Sequence, residues 1–225
     1  MASNYAELRK VFAPDSFLVK AMEDIQSAQN VKFLGYFCDG FCGVSTNKDV
    51  INANVSDKDK GILIRVPSVD AWKFPFDRLG FRTSTIPYAD VYASMQTGVV
   101  DGFTGTPPYI VYEGYRDVVD QYYVYNAVHE STQLLMSSKT WDKLTESQKE
   151  IIKNAFDKEA AMSIDISEKN DVEYLDKMKE AGMKVVEFTD EEMKEIARDV
   201  RDFVWKQLEK EYTAEFLNSL RESIE

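Results

Sequence analysis

The sequence contains very few of the residues that most metal and catalytic sites require. Its 225 residues include one histidine, His129, and two cysteines, Cys38 and Cys42. One histidine excludes a histidine-based catalytic pair and a metal site built from several histidines. Two cysteines without accompanying histidines are too few ligands for a closed metal site. We therefore expect no metal and no cofactor, and we expect His129 to be structural.

Basic residues and long apolar runs are also scarce. The chain has 27 Lys and Arg against 39 Asp and Glu, a net charge of −12. This balance argues against a nucleic-acid partner, because phosphate contacts need clustered basic side chains. No apolar run is long enough to span a bilayer, and the first residues, MASNYAELRKVF, lack the apolar core of a signal peptide. No nucleophile elbow, phosphate loop or HExxH motif occurs, so we do not expect an enzyme.

With 44% hydrophobic residues, the chain has enough apolar material for a sizeable α/β core. The segment from Lys60 to Gly105 has the pattern of a strand, a helix ending at Gly80, a second strand, an amphipathic helix and a third strand. Arg65 interrupts the first strand near its carboxyl end. Ligands of open α/β sheets bind outside such strand ends, and a guanidinium suits a carboxylate. The pattern therefore favours anion recognition by Arg65; a solvated or salt-bridged edge arginine is the alternative.

Other candidate ligand contacts surround Arg65 in the sequence. The loop that follows the third strand combines two hydroxyls with a glycine backbone, a composition suited to line a pocket. Trp72 is predicted either to stack on a ligand or to close the core, and Glu130 is a candidate for reaching the cleft. The predicted ligand-binding residues are Arg65, Trp72, Phe103, Thr104, Gly105, Thr106 and Glu130. The helical spacing of Tyr88, Val91, Tyr92 and Met95 predicts a core-facing surface instead.

The remaining chain reads as alternating helices and strands. Helical patterns cover Ser3 to Gln29, divided near Pro14, and a capping box at Thr145 starts a long helix towards Ala181. Strands are predicted at Val31 to Phe37, ending at a glycine-bearing turn from Cys38 to Gly43, and at Gln121 to Val128. The last part of the chain is predicted to contain a strand from Met183 to Phe188, a helix capped by Thr189 and a final helix from Tyr212 to Ile224. Cys38 and Cys42 form either a short-loop disulfide or two buried free thiols.

Two segments of the sequence resemble a known family. GILIRVP, followed by LGFRTSTIPYADVYASMQTGVVDG, is similar to the signature of the extracytoplasmic solute-binding proteins of TRAP transporters, the C4-dicarboxylate-binding family. The resemblance implies a periplasmic-binding-protein-like type II fold with two lobes joined by long hinge strands and a long helix. It places Arg65 on the arginine that pairs with the substrate carboxylate. The sequence also differs from the family, because Gly105 replaces a frequent pocket asparagine and Cys42 a second arginine of some members.

The resemblance also implies a domain organisation and a function. Residues 1–43 and 129–181 are expected to form parts of an incomplete first lobe and the lobe-spanning helix, 44–128 the second α/β lobe, and 182–225 a C-terminal strand and helices. The implied function is a periplasmic receptor that captures a small organic acid and delivers it to TRAP membrane permease subunits. The receptor is expected to contact the membrane only through the permease. A ligand-independent interaction or sensor module on the same fold is the alternative.

Overall fold

The fold is built on one sheet whose strands lie far apart in the sequence. The computed structural model describes residues 2–223, so Ile224, the predicted end of the last helix, lies outside the described residues. The strands are β1 Val31–Thr46, β2 Leu63–Val66, β3 Arg82–Thr85, β4 Gly102–Phe103, β5 Gln121–Ser137 and β6 Lys184–Val186. The α-helices are α1 Tyr5–Val11, α2 Phe17–Ser27, α3 Asp70–Leu79, α4 Val91–Gln96, α5 Pro108–Tyr115, α6 Ser138–Trp141, α7 Glu146–Glu180, α8 Asp190–Leu208 and α9 Ala214–Glu222.

The sheet has the strand order β3-β2-β4-β1-β5-β6. Strand β2 is parallel to both β3 and β4, so the carboxyl ends of β2 and β4 meet at the same edge. Strand β1 is antiparallel to β4 and β5. Because β4 pairs with β1 only at Ser45 and Thr46, the earlier part of β1 and the later part of β5 extend past that edge as a two-stranded ribbon. This confirms the predicted mixed α/β fold.

Strand β1 is longer than its sequence predicts. The glycine-bearing segment from Cys38 to Gly43 does not form a turn, because β1 continues through it to Thr46. The pairing with β5 shifts register between Phe33 and Gly35, between Cys38 and Gly40, and between Cys42 and Val44. Gly40 has φ +129°, a conformation that favours glycine. The glycines therefore serve bulges that bend one continuous strand. Likewise, β5 runs past Val128 to Ser137.

The long helix α7 confirms the prediction that began at the Thr145 capping box, and it lies against the ribbon. Ser163 Oγ accepts the backbone N–H of Cys38 at 2.9 Å, and Ser167 Oγ donates to the Cys38 carbonyl at 2.9 Å. One turn further, Asp171 Oδ2 accepts the Phe41 N–H at 3.2 Å. These side chains recur every four residues, on one face of the helix. They therefore satisfy backbone groups of β1 that have no neighbouring strand.

Cys38 and Cys42 are both buried, free thiols. They lie four residues apart on an extended strand, so their Cα atoms are separated by roughly 13 Å at about 3.3 Å per residue. A disulfide requires a Cα separation below about 7 Å. Of the two alternatives for these residues, the structure therefore has the buried thiols.

The core lies on both faces of the sheet. One cluster packs β1, β2 and β5 against α3, α8 and α9 through residues such as Ile64, Phe76 and Val200. A second cluster joins α4, α5 and the end of α7, and it includes Val91, Met95 and Phe103 among its buried members. Helix α5 has no counterpart in the sequence predictions, because its tyrosine-rich residues carry no clear amphipathic spacing. It closes the second cluster beside the carboxyl end of β4.

Candidate ligand-binding site

Arg65 lies on β2, with a paired strand on each side. Its Cα partners are Ser84 on β3 and Phe103 on β4. The residue is only 4% exposed. Its guanidinium Nε donates to the Ile86 carbonyl at 2.8 Å, and Nη1 donates to the Thr104 carbonyl at 3.0 Å. The side chain is therefore fixed between the segments that leave β3 and β4.

No acidic side chain of residues 2–223 bonds or pairs with this guanidinium. Burial lowers the pKa of Arg65, but an arginine remains protonated in proteins. The structure therefore contains a buried positive charge whose two partners are neutral carbonyl oxygens. Because a guanidinium has five N–H donors and two are used, donors remain for an anion.

The loop after β4 wraps around Arg65. The Thr104 N–H donates to the Arg65 carbonyl at 3.1 Å, and Thr104 Oγ1 donates to the Gly43 carbonyl at 2.8 Å. Gly105 follows with φ +106°. A Cβ on Gly105 would lie 3.2 Å from Arg65 Nη1 and 3.2 Å from Pro67 Cγ. The glycine therefore allows the backbone to approach the guanidinium closely.

Thr106 is the next residue of this loop, and it is 2% exposed. Its Oγ1 is buried without a hydrogen-bond partner among the described residues. A buried hydroxyl without a partner is unfavourable by roughly 1–3 kcal/mol. Thr106 is thus a polar group that a bound molecule, or a water, would satisfy.

Tyrosines cover the other side of Arg65. The guanidinium carbon lies 5.9 Å from the centre of the Tyr88 ring, and the Tyr88 and Tyr115 ring centres are 6.4 Å apart. Tyr88, Tyr92, Tyr109, Ile110, Glu113, Gly114 and Tyr115 line one surface cavity of about 500 Å³. Arg65 therefore lies at the side of an aromatic cavity.

The sequence interpretation of two of these tyrosines was wrong. Val91 and Met95 are buried as expected, but Tyr88 is 50% exposed and Tyr92 36% exposed. Residues 88–90 form a 3₁₀ turn before α4 begins at Val91. Because a 3₁₀ turn has three residues per turn, α-helical spacing does not place Tyr88 on the buried face. The signal that identifies Tyr88 is its position three residues after the end of β3, the strand beside Arg65.

Phe103 and Trp72, two other predicted ligand contacts, have different surroundings. Phe103 is fully buried, and its ring centre lies 4.7 Å from that of Tyr115, so it supports the aromatic cavity from behind. Trp72 lies half-buried on α3 against the first core cluster. The aromatic ring found over the Arg65 guanidinium is that of Tyr88, and a ligand contact for Trp72 remains a prediction.

Glu130 lies on the ribbon, at the Cα position opposite Gly40. Burial and the nearby Asp39 raise the pKa of Glu130 to about 7. Its Oε2 is buried without a hydrogen-bond partner among the described residues. Asp39 accepts a hydrogen bond from Thr132 at 3.1 Å, and burial raises its pKa also. The ribbon therefore carries two carboxyl groups that share one partly buried environment.

His129 lies half-buried on the ribbon, and its ring centre is 5.4 Å from that of Phe12 and 6.1 Å from that of Phe41. Burial lowers the pKa of His129 to about 4, so the imidazole is neutral at physiological pH. These contacts agree with a structural role. In the part of the chain that the structure describes, no group of acidic, histidine or cysteine side chains is arranged to hold a metal ion. No helix within residues 2–223 has the length and apolar character needed to cross a membrane.

Comparison with known proteins identifies relatives along nearly the whole chain. The family described as bacterial extracellular solute-binding protein, family 7, matches residues 1–211. The C4-dicarboxylate-binding periplasmic protein DctP of Vibrio cholerae is 26% identical over 201 residues, which are 88% of this chain and 58% of that protein. A solute-binding protein of Chromohalobacter salexigens is 22% identical over 197 residues, again 58% of its length. The chain thus spans less than two thirds of these relatives.

A solved structure has the same fold. The periplasmic ectoine-binding protein of the TeaABC TRAP transporter of Halomonas elongata superposes with a TM-score of 0.84 at 17% identity, and the match covers 100% of this chain and 73% of that one. At this identity the likeness shows the fold alone. It confirms the mixed α/β architecture that surrounds Arg65.

Proposed function

We propose that this chain, which belongs to family 7 of the bacterial extracellular solute-binding proteins, binds a small organic anion through Arg65. The bound group is a carboxylate, and the chain delivers its ligand to the membrane permease of a TRAP-type transporter. Arg65 binds the carboxylate, and the loop from Thr104 to Thr106 shapes the site around it. The protein acts outside the cytoplasmic membrane, and it is a transport receptor rather than an enzyme.

The observation that carries this proposal is the buried positive charge of Arg65. Moving a charge out of water is unfavourable by several kcal/mol unless it gains a partner. Arg65 is 4% exposed and its bonds go to two neutral carbonyls. A structural arginine at such a place normally pairs with a carboxylate of the protein. Here the carboxylate comes with the ligand.

The names of the relatives support the same class of ligand. DctP of Vibrio cholerae is named for binding C4-dicarboxylates, and a sialic acid-binding periplasmic protein of the same organism is 24% identical over 159 residues. Both ligand classes carry a carboxylate. For the present chain, the ligand contacts of Trp72 and Glu130 and the lobe boundaries at residues 43, 128 and 181 are part of the proposal.

Titration of the chain with a series of organic acids tests the function. We expect at least one mono- or dicarboxylate to bind, and we expect Arg65→Ala to weaken that binding about 100-fold, since charge-assisted bonds contribute about 1.5–3 kcal/mol. Arg82→Ala is the matched control, because Arg82 is exposed at the start of the neighbouring strand. A ligand at about 100 times its Kd should also stabilise the fold by about 2.7 kcal/mol.

The outcomes separate the candidate functions. Wild-type affinity in Arg65→Ala would remove Arg65 from its role, provided that circular dichroism shows the variant folded. If no organic acid binds or raises the melting temperature, and a protein partner binds without ligand, the chain is an interaction or sensor module instead. Conversion of a bound acid to a product would contradict the receptor function.

A further inference from the structure

The surroundings of the site have opposite charges at two ends. Arg65 lies at one end, against the Tyr88 ring. Asp39 and Glu130 lie on the ribbon at the other end, and Glu113 lines the tyrosine cavity between helices. Among residues 2–223, no lysine or arginine lines that cavity. Among the residues that line the cavity, the charged group is therefore a carboxyl, whereas Arg116 and Lys177 lie outside it, over the Tyr112 and Tyr174 rings.

Tyr109 connects the two ends. It lines the same cavity as Tyr88. Burial raises the pKa of Tyr109, and the charges of Asp39 and Glu130, followed by the Tyr88 phenol, raise it further. Tyr109 also follows Pro107 by two residues, and Pro107 lies beside Gly40, the Cα partner of Glu130 on the ribbon. A molecule that extends from Arg65 along the tyrosines therefore reaches a negative region.

The loop between the two ends contains a polar group without a partner. Gly105 lies against Arg65 Nη1, and Pro107 lies beside Gly40, the Cα partner of Glu130. Thr106 stands between them, 2% exposed, and its Oγ1 has no partner among the described residues. Glu130 Oε2 likewise has no hydrogen-bond partner among the described residues. Unpartnered polar atoms thus occur along the path from the cation to the carboxyls, where a polar ligand would satisfy them.

We infer that the ligand is a zwitterion whose carboxylate binds Arg65 and whose cationic group, a substituted ammonium, lies on the tyrosine faces towards Asp39 and Glu130. The inference rests on the proposed function, because it needs the carboxylate on Arg65. Aromatic faces attract ammonium groups through the negative charge above the ring, and several such rings together select substituted ammonium ions. Carboxyl groups behind the rings strengthen the attraction. A dicarboxylate would instead place its second negative charge near Asp39 and Glu130.

A matched pair of probes tests this inference on the chain itself. 4-(Trimethylammonio)butyrate and 5,5-dimethylhexanoate have nearly the same shape and one carboxylate, but only the first carries a positive charge. Succinate is the third probe. We expect the zwitterion to bind about tenfold more tightly than its neutral-tailed isostere, a ratio in the range of one cation–π contact at a partly desolvated site. We expect succinate to bind more weakly than the zwitterion.

Variants test which side chains produce the preference for the zwitterion over its isostere. In the Asp39→Asn, Glu130→Gln protein the affinity ratio of zwitterion to isostere should fall to about one third or less of its original value, and in Tyr109→Leu it should also fall. The ratio should not change in Asp142→Asn, Glu159→Gln, which alters two exposed carboxyls. Because the ratio compares two probes on one protein, a loss of stability does not imitate the effect.

Three results would overturn the inference, and they are distinguishable. Equal or tighter binding of 5,5-dimethylhexanoate would show that the tyrosines bind an apolar tail. Tightest binding of succinate would show that the second subsite accepts a negative group. Either result leaves the carboxylate receptor intact if Arg65→Ala still weakens binding about 100-fold. Failure of all three probes and of every other organic acid would overturn the proposed function as well.

Discussion

Replacement of Gly105 by alanine tests whether the loop is held against Arg65. The loss of stability should exceed the usual cost of placing a non-glycine residue at a positive φ. Gly105 has φ +106°, and an added Cβ would lie 3.2 Å from both Arg65 Nη1 and Pro67 Cγ. A left-handed backbone costs an L-residue roughly 1–2 kcal/mol, and forcing an extra methyl group into a packed site costs typically about another 1–3 kcal/mol. Gly105→Ala should therefore destabilise the fold by about 2–5 kcal/mol.

Gly98→Ala is the control for this measurement. Gly98 has φ +73°, and no atom of the described residues lies within 4 Å of the Cβ that an alanine would add, so the substitution adds strain without a contact. In urea unfolding, Gly105→Ala should lose about 1–3 kcal/mol more than Gly98→Ala. For a chain of this size, that difference corresponds to a melting temperature lower by roughly 2–12 °C. Because Nη1 must move, organic acids should bind Gly105→Ala about tenfold more weakly, a loss of about 1.4 kcal/mol, whereas Gly98→Ala should bind normally.

The reasoning fails if the two alanine variants are equally stable and bind organic acids equally well. That result would mean that the loop is not held against the guanidinium. A Gly105→Ala protein that is destabilised but binds normally would show that only Pro67, not Arg65, receives the methyl group. Both measurements use the same purified variants, so the stability and binding effects are compared directly.

Four further predictions concern the ribbon and the helices. Burial raises the pKa of Asp171 to about 6 from 3.8, so the contribution of Asp171 to stability is present below about pH 4 and is lost as the pH rises through 6. In urea unfolding, Asp171→Asn should therefore gain about 1–3 kcal/mol of stability relative to wild type between pH 4 and 7. The pKa of His129 is lowered to about 4 from 6.5, so His129 contributes stability that is present above pH 6.5 and is lost as the pH falls towards 4. His129→Gln should remove this loss of stability at low pH, which is opposite in direction to the effect of Asp171. Ser167→Ala should cost about 1–3 kcal/mol by leaving the Cys38 carbonyl without its hydroxyl donor, whereas an unchanged midpoint would show that water replaces it. Thr189→Ala should cost about 1 kcal/mol through loss of its capping box, measured as the change in urea midpoint at constant slope.

Local signals in the sequence predicted much of the fold. The capping boxes at Thr145 and Thr189 fix the starts of α7 and α8 in the structure, because a cap depends on residues within one turn. Gly80 ends α3 with φ +101° as expected. Arg65 is a candidate binding residue from the sequence alone, because a charged residue in an apolar strand violates the local pattern. These features depend on neighbours in the sequence, and the sequence displays them.

The rest of the site depends on contacts that the sequence does not display. Glu130 approaches Asp39 because β1 and β5 pair with register shifts, and a bulge changes which side chains share a face. Tyr88 faces outward because one 3₁₀ turn interrupts the helical period. In the ribbon a shift of one residue changes the face of the side chain, and at Tyr88 the tighter turn does so. Periodicity alone therefore gives the strands and helices but not the surface that they present.

Thr104 links the buried charge to the ribbon, and this link has a mechanical consequence. Its carbonyl accepts from Arg65 Nη1, its N–H donates to the Arg65 carbonyl, and its hydroxyl donates to the Gly43 carbonyl on β1. Gly43 is fixed in turn, because its N–H donates to the Tyr122 hydroxyl and a Cβ there would lie 2.3 Å from the Tyr123 carbonyl. If the ribbon bent at this point, the Gly43 carbonyl would move, and Thr104, which is hydrogen-bonded to both, would shift the guanidinium with it. Since Arg65 has no carboxylate of its own among the described residues to oppose the movement, we expect the position of the charge and the bend of the ribbon to change together when an anion binds.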